Sequence, residues 1–333
     1  MTDDIGRAIG AFWEWWAANR SNIERAIHDG TLREWVEPLG ARVTAIHPKL
    51  DWELGAGKHA EHYVCVSAKG DPVLRVIAER WKSAAPPVDA VFEYHAARPG
   101  GGAHGAMLLD FGPVSFAVQD FRFVIEVDDA RRRVHVDAWH PSFATAPQKL
   151  RMTATFIALD SVLGEDDVER WIGSVDVLPR APDGGIDFFA LLQVTDRLRP
   201  RAAERRFAIL RGALPSGDPL FVSVDLALKR VDHLLLDTHA ELESQLHDPT
   251  SDGLSTSVEA QALSRAEDAL HARLGDRAVF IARETREGRR VLHFHIASDG
   301  GALATMRTWA REIDWETLVR ASPDPSWRVL ERW

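Results

Sequence analysis

The chain has 333 residues, of which 45% are hydrophobic and 27% charged, with a formal net charge of -10. At about 100 to 200 residues per domain this length predicts two domains, and the acid surplus argues against broad nucleic-acid affinity, which needs excess Lys and Arg on one face. The single cysteine, Cys65, excludes an internal disulfide framework and any cysteine-rich zinc site.

No apolar run reaches the roughly 18 residues needed to cross a bilayer, and the first residues lack the basic start and apolar core of a secretion signal. A cytoplasmic protein without membrane association is expected. An opening helix is predicted over 5–28, with Phe12, Trp15, Trp16, Ile23 and Ile27 near one face. Trp13 falls off that stripe. It reads either as a packing anchor or, left exposed, as a binding residue for a protein partner. A second helix from Leu32 is expected to break at Pro38 and Gly40.

Strands follow. Segments 50–54 and 62–67 read as a hairpin; Cys65, inside the second, reads as a buried inert thiol. Asp71-Pro72 opens a helix that Pro86-Pro87 ends, and 91–95 is the next strand. The glycine-rich stretch from Gly100 to Gly105 precedes an extended segment, not the helix N-terminus that a phosphate cradle needs, so it reads as a hairpin loop. Strand character recurs at 107–111, 114–118, 121–127 and 134–139, before a helix over 147–163 that stops at Gly164. Then come an acidic run at 165–169 and a closing strand at 171–177.

The arginines Arg197, Arg199, Arg201, Arg205, Arg206 and Arg211 cluster across the domain boundary. They read as a solvated linker that pairs with acidic neighbours such as the 165–169 run, or as a contact for an anion or RNA. Beyond them, apolar residues at helical spacing predict a helix over 258–274 that ends at Gly275. Val279, Ile281, Val291, Leu292, Phe294 and Ile296 then describe a tight hairpin across Arg286-Glu287-Gly288-Arg289. The order of elements in the two halves suggests variants of one split β-α-β unit. The predicted fold class is therefore α+β: an N-terminal domain over 1–185, an Arg-rich linker over 186–205 and a C-terminal domain over 206–333, each an antiparallel sheet with helices on one face.

His293 and His295 alternate on one strand, so their side chains project about 7 Å apart on the face opposite Phe294 and Ile296. They read either as ordinary residues of a solvent-facing strand or as candidate metal ligands, with His233, Asp237 or His239 as a third. Asp51 and Glu53 share one strand face and Asp137 and His140 end another; these are candidate acid/base groups or solvated strand residues. No Walker loop, dinucleotide fingerprint or Gly-x-Ser-x-Gly elbow is present, and no cofactor is expected.

The segments Phe12-Trp13-Glu14-Trp15-Trp16, Pro48-x-Leu50-x-Trp52-Glu53-Leu54, Val66-Ser67-Ala68-x-Gly70 and Ala85-Pro86 resemble a group of uncharacterised bacterial proteins. Glu267-Asp268, the Thr285-x-x-Gly288-x-Arg290 turn and Asp324-Pro325-x-Trp327 are similar to the domain of unknown function 695 (DUF695), and more distantly to the ribonuclease E inhibitor B family. The resemblance implies a ferredoxin-like C-terminal domain that binds a protein partner and does no catalysis. The inhibitor-like proteins are shorter and strongly acidic, whereas this chain adds an N-terminal domain and the arginine cluster. The leading expectation is a non-enzymatic protein-binding or regulatory module. The alternatives are a metal-dependent hydrolase using His293 and His295, and RNA binding through Arg197 to Arg211. An unpaired sheet edge in either domain would allow a homodimer.

Overall fold

Apolar residues three and four apart turn Thr2–His28 into an amphipathic helix, α1, that buries Ile9, Phe12, Trp13, Trp16 and Ile23. In the computed structural model, which describes residues 2–101, 107–201 and 204–333 but not the side chains of Thr2, Asp3 and Arg201, the chain divides into two units. One is Met1–Asp128 with Arg132–Pro200; the other is Asp129–Arg131 with Arg201–Trp333.

In the first unit α1 is followed by α2 (Arg33–Ile46), which runs through Pro38 and Gly40 without the expected break. Gly40 serves packing: a Cβ there would lie 3.3 Å from Trp52 Nε1. Next come β1 (Asp51–Ala56), β2 (His62–Ser67), α3 (Pro72–Ser83) and β3 (Phe92–His95). Strands β1 and β2 are antiparallel, and β3 lies parallel to β2. A parallel neighbour needs a crossover, and α3 supplies it, capped by the Asp71 carboxylate on the amides of Val73 and Leu74.

The same order then repeats. After the short pair β4 (Leu108–Asp110) and β5 (Ser115–Ala117), an antiparallel β6 (Arg122–Asp128) and β7 (Arg133–Trp139) lead through α4 (Gln148–Leu163) and α5 (Glu165–Trp171) to β8 (Ile172–Val177), parallel to β7. The two three-stranded sheets of this unit are thus mixed, not antiparallel as expected, and the recurring hairpin-helix-strand order lies within it. Two aromatic-rich cores follow, one around Phe12, Trp16, Trp81 and Phe92, the other around Phe116, Phe121, Phe123, Phe143 and Trp171. The acidic run is the start of α5, whose Asp166 pairs with buried Arg75. Helix α6 (Phe188–Leu198) buries Phe188, Leu191 and Leu198 in the second core, so half of the segment expected as a linker is folded into this unit.

The second unit is one six-stranded antiparallel sheet. Its strands are β9 (Phe207–Ala213), β10 (Pro219–Asp225), β11 (Thr238–Gln245), β12 (Ala278–Arg286), β13 (Arg289–Ile296) and β14 (Thr317–Pro323), in the order β14-β11-β13-β12-β10-β9. Helix α7 (Ser257–Leu274) joins β11 to β12 and α8 (Ala302–Glu312) joins β13 to β14. Leu270, Leu274, Ala302, Met306 and Trp309 from the helices pack on Ala240, Leu242, Leu292, Phe294 and Ile296 from the sheet. The β12-β13 turn has Glu287 at φ +46° and Gly288 at φ +70°, the conformation a two-residue hairpin requires.

Candidate functional site

Alternation along β13 sends Phe294 and Ile296 to the helices and His293 and His295 to the opposite face. That face is not open to solvent as expected: the two histidines are 1% and 0% exposed. His239, across the ladder on β11, brings its Nε2 to 3.0 Å from His293 Nδ1, with the rings stacked at 5.3 Å. The other nitrogen of His293 faces Glu284 Oε1 at 3.6 Å, an ion-pair distance longer than a hydrogen bond.

A β-bulge makes that meeting possible. The register of β12 on β13 shifts between Phe280 and Ala282, so Ala282 and Glu284 take the histidine face. Unbroken alternation would have put Ile281 and Arg283 there instead. Burial would raise the Glu284 carboxyl, but His293, Arg332 and Arg286 hold it down at about 2. Burial, with the neighbouring histidines, lowers His239 to about 4. Burial also takes His295 to about 4, against the pull of the Leu236 carbonyl, to which its Nδ1 donates at 3.0 Å, and of Asp324.

The C-terminal segment covers these groups. Asp324 accepts the amides of Arg328 and Val329, capping a 3-10 turn over Arg328–Arg332, and its carboxylate lies 3.4 Å from His295 Nε2. Trp327, in the left-handed region at φ +56°, donates its Nε1 to Leu236 O at 2.8 Å and stacks on His295 at 4.1 Å. Trp333 meets His293 edge-on at 5.2 Å. Among the described residues no group of three or more His, Cys, Asp or Glu side chains could hold a metal ion. His293 Nδ1 is occupied by His239, Asp237 accepts the Ser298 amide and hydroxyl, and His233 stacks on Trp327.

The bulge has a second effect on the helix side. It directs Arg283 toward α7, where Glu267 receives Arg283 on one oxygen at 3.0 Å and buried Arg290 on the other at 3.1 Å. Beside this network lies a cavity of about 850 Å³, lined among others by Arg205, Phe207, Ser223, Asp268, His271 and Phe280. Phe207 and Phe280 stand 6.0 Å apart, and Arg205 pairs with Asp225 while donating to Phe280 O at 2.8 Å. Phe207 in its wall is 50% exposed. Arg211 stacks over the Phe221 ring and has no carboxylate partner among the described residues.

The other sequence candidates have structural positions. Trp13 is buried, stacked on Trp81 at 4.8 Å and donating to Trp81 O at 2.9 Å, so it presents no partner surface. Arg199 pairs with Asp167 in α5 and with Asp196, as the solvated-linker reading anticipates; Arg197 is exposed, and the Arg201 side chain lies outside the described part of the chain. Arg197 and Arg199 belong to the first unit and Arg205, Arg206 and Arg211 to the second. In the first unit Glu53 binds Tyr63 and Arg98, while His140 Nδ1 accepts the Ser142 amide and Nε2 donates to Ala117 O. Burial pushes the Cys65 thiol up, as befits an inert residue. Of the glycine-rich loop, residues 102–106 lie outside the described part.

A family of unknown function (DUF695) has a model that matches residues 216–331, which span the second unit from β10 onward. No curated protein matches the chain. Within this stretch Glu267 anchors two arginines, Gly288 makes the hairpin turn, and Asp324 and Trp327 close the histidine face. Sequence reasoning missed Glu284 and the cavity residues Phe207 and Phe280. Only the bulge, which the alternation does not reveal, brings Glu284 to the histidines.

Proposed function

We propose that the protein is a non-enzymatic cytoplasmic module whose C-terminal domain binds another protein in the helix-side cavity. The observation that carries the reading is the combination of a cavity of about 850 Å³ with exposed Phe207 beside it and guanidinium groups from Arg205 and Arg283 in its wall. Pockets that take an anchoring side chain are apolar with a few directed polar groups. The aromatic pair suits an apolar anchor, and Arg211, which has no carboxylate partner among the described residues, suits a carboxylate next to it. The sheet order β14-β11-β13-β12, with α7 and α8 on one side, agrees with the ferredoxin-like arrangement expected from the resemblance, extended by β10 and β9.

Catalysis at the histidines is the weaker reading, since Trp327 and Trp333 cover them. The test is capture from a lysate of the source cells with the full chain and with a Ser223→Trp variant that fills the cavity, followed by direct titration of the purified captured protein. Binding to the wild type that weakens at least tenfold in the variant is expected. Equal affinity for both would remove the cavity from the interaction and defeat the proposal.

A further inference from the structure

The six-stranded sheet has two edges, and they differ. At the β14 edge, Pro323 lacks the N–H that pairing requires. Strand β9 pairs with β10 in unbroken register from Phe207↔Asp225 to Ala213↔Pro219 and contains neither proline nor bulge. Leu226 N donates to Arg206 O and Leu214 N to Asp218 O, which fixes the even-numbered residues 206 to 214 as those bonded to β10. Phe207, Ile209 and Arg211 therefore aim their N–H and C=O groups away from the sheet. Among the described residues no other strand pairs with β9. Their side chains are exposed too, Ile209 at 72%.

We propose that β9 pairs antiparallel with β9 of a second copy of this chain, with Ile209 on the twofold axis. This inference goes beyond the cavity reading and does not rest on it. A twofold pair needs a strand that complements its own reversal, and β9 has one. Centred on Ile209, Phe207 lies opposite Arg211 of the other copy, and the other Phe207–Arg211 pair is equivalent by symmetry. Arg211 already stacks on an aromatic face, that of Phe221, within its own sheet, and an opposing Phe207 offers it a second. No arginine faces an arginine directly, and Arg205 is neutralised by Asp225. In this register Phe207, Ile209 and Arg211 of each strand supply donors and acceptors for one another, joining the two sheets edge to edge.

Sedimentation of the intact protein across about 1 to 300 μM tests the pairing, together with short-arm bis-maleimide cross-linking of Ile209→Cys. The only other thiol, Cys65, is buried. The wild type is expected to approach twice the 37.1 kDa monomer mass as concentration rises. Ile209→Lys, which sets two ammonium groups on the axis, should stay monomeric with an unchanged circular dichroism spectrum. Ile209→Cys should cross-link to a dimer while Phe207→Cys, off the axis by two residues in each copy, should not. A monomer at every concentration, a dimer indifferent to Ile209→Lys, or equal cross-linking at both positions would overturn the proposal. Pairing of β9 only with a different protein would appear as the first of these results.

Discussion

Acid should loosen the C-terminal domain through its buried histidines, and His295 allows the size of the effect to be worked out. Its folded pKa of about 4 lies below the 6.5 of an unstructured histidine, so the unfolded chain binds the proton first as pH falls. Stability is then complete above about pH 6.5 and lost progressively toward about pH 4. Between about pH 7.5 and about pH 5 one such group removes about 2 kcal/mol. His239, also near 4, acts in the same direction, and Glu284, held near 2, adds its own loss only at lower pH. The groups facing these rings are His293, Glu241, Asp237, Asp324, Glu284 and Arg332. Hydrogen–deuterium exchange of the β13 peptide across a urea series reports this domain alone. The wild type should lose about 2 kcal/mol more than His295→Gln over that pH interval, whatever the offset between them at neutral pH. Parallel pH profiles for the two proteins would refute a neutral, acid-resistant His295.

Glu267→Gln should destabilise the same domain by about 3 kcal/mol, because it leaves the buried Arg290 guanidinium without its counter-charge; urea midpoints of the β13 peptide check this, and a change below about 0.5 kcal/mol would contradict it. Trp327→Ala removes both the stack on His295 and the hydrogen bond to Leu236 O, and should cost about 3 to 5 kcal/mol by the same measure, with faster exchange across residues 324–333. Trp13→Ala should cost a similar amount in the first unit only, seen as earlier exchange in the α1 and α3 peptides with the β13 peptide unchanged.

Much of the backbone was legible in the sequence because it is set by short-range rules. The periodicity of Leu263, Leu270 and Leu274, the stop at Gly275 and the turn at Gly288 place α7 and the β12-β13 hairpin where they occur. Pro38 misled because a proline in a helix forfeits one hydrogen bond, a loss that the burial of Leu39, Val43 and Ile46 outweighs. The parallel partners of β2 and β7 depend on where crossover helices land, which local patterns do not encode. The site was legible only in part. Alternation put His293 and His295 on one face, but their burial depends on a tail that follows β14, and Glu284 depends on one extra residue at Ile281. Trp13 looked off-stripe on α1 alone, yet Trp81 and Tyr94 from α3 and β3 enclose it.

The proposed binding surface is tested most directly in living source cells by a photo-cross-linking amino acid at Asp268, an exposed position on α7 at the rim of the cavity. Gln261, exposed two turns earlier on the same helix, serves as the control. A discrete adduct with one other protein from position 268, absent from position 261 and lost when Ser223→Trp fills the cavity, is the predicted result. The same adducts from both positions, or none from 268, would contradict a protein-binding role for this cavity.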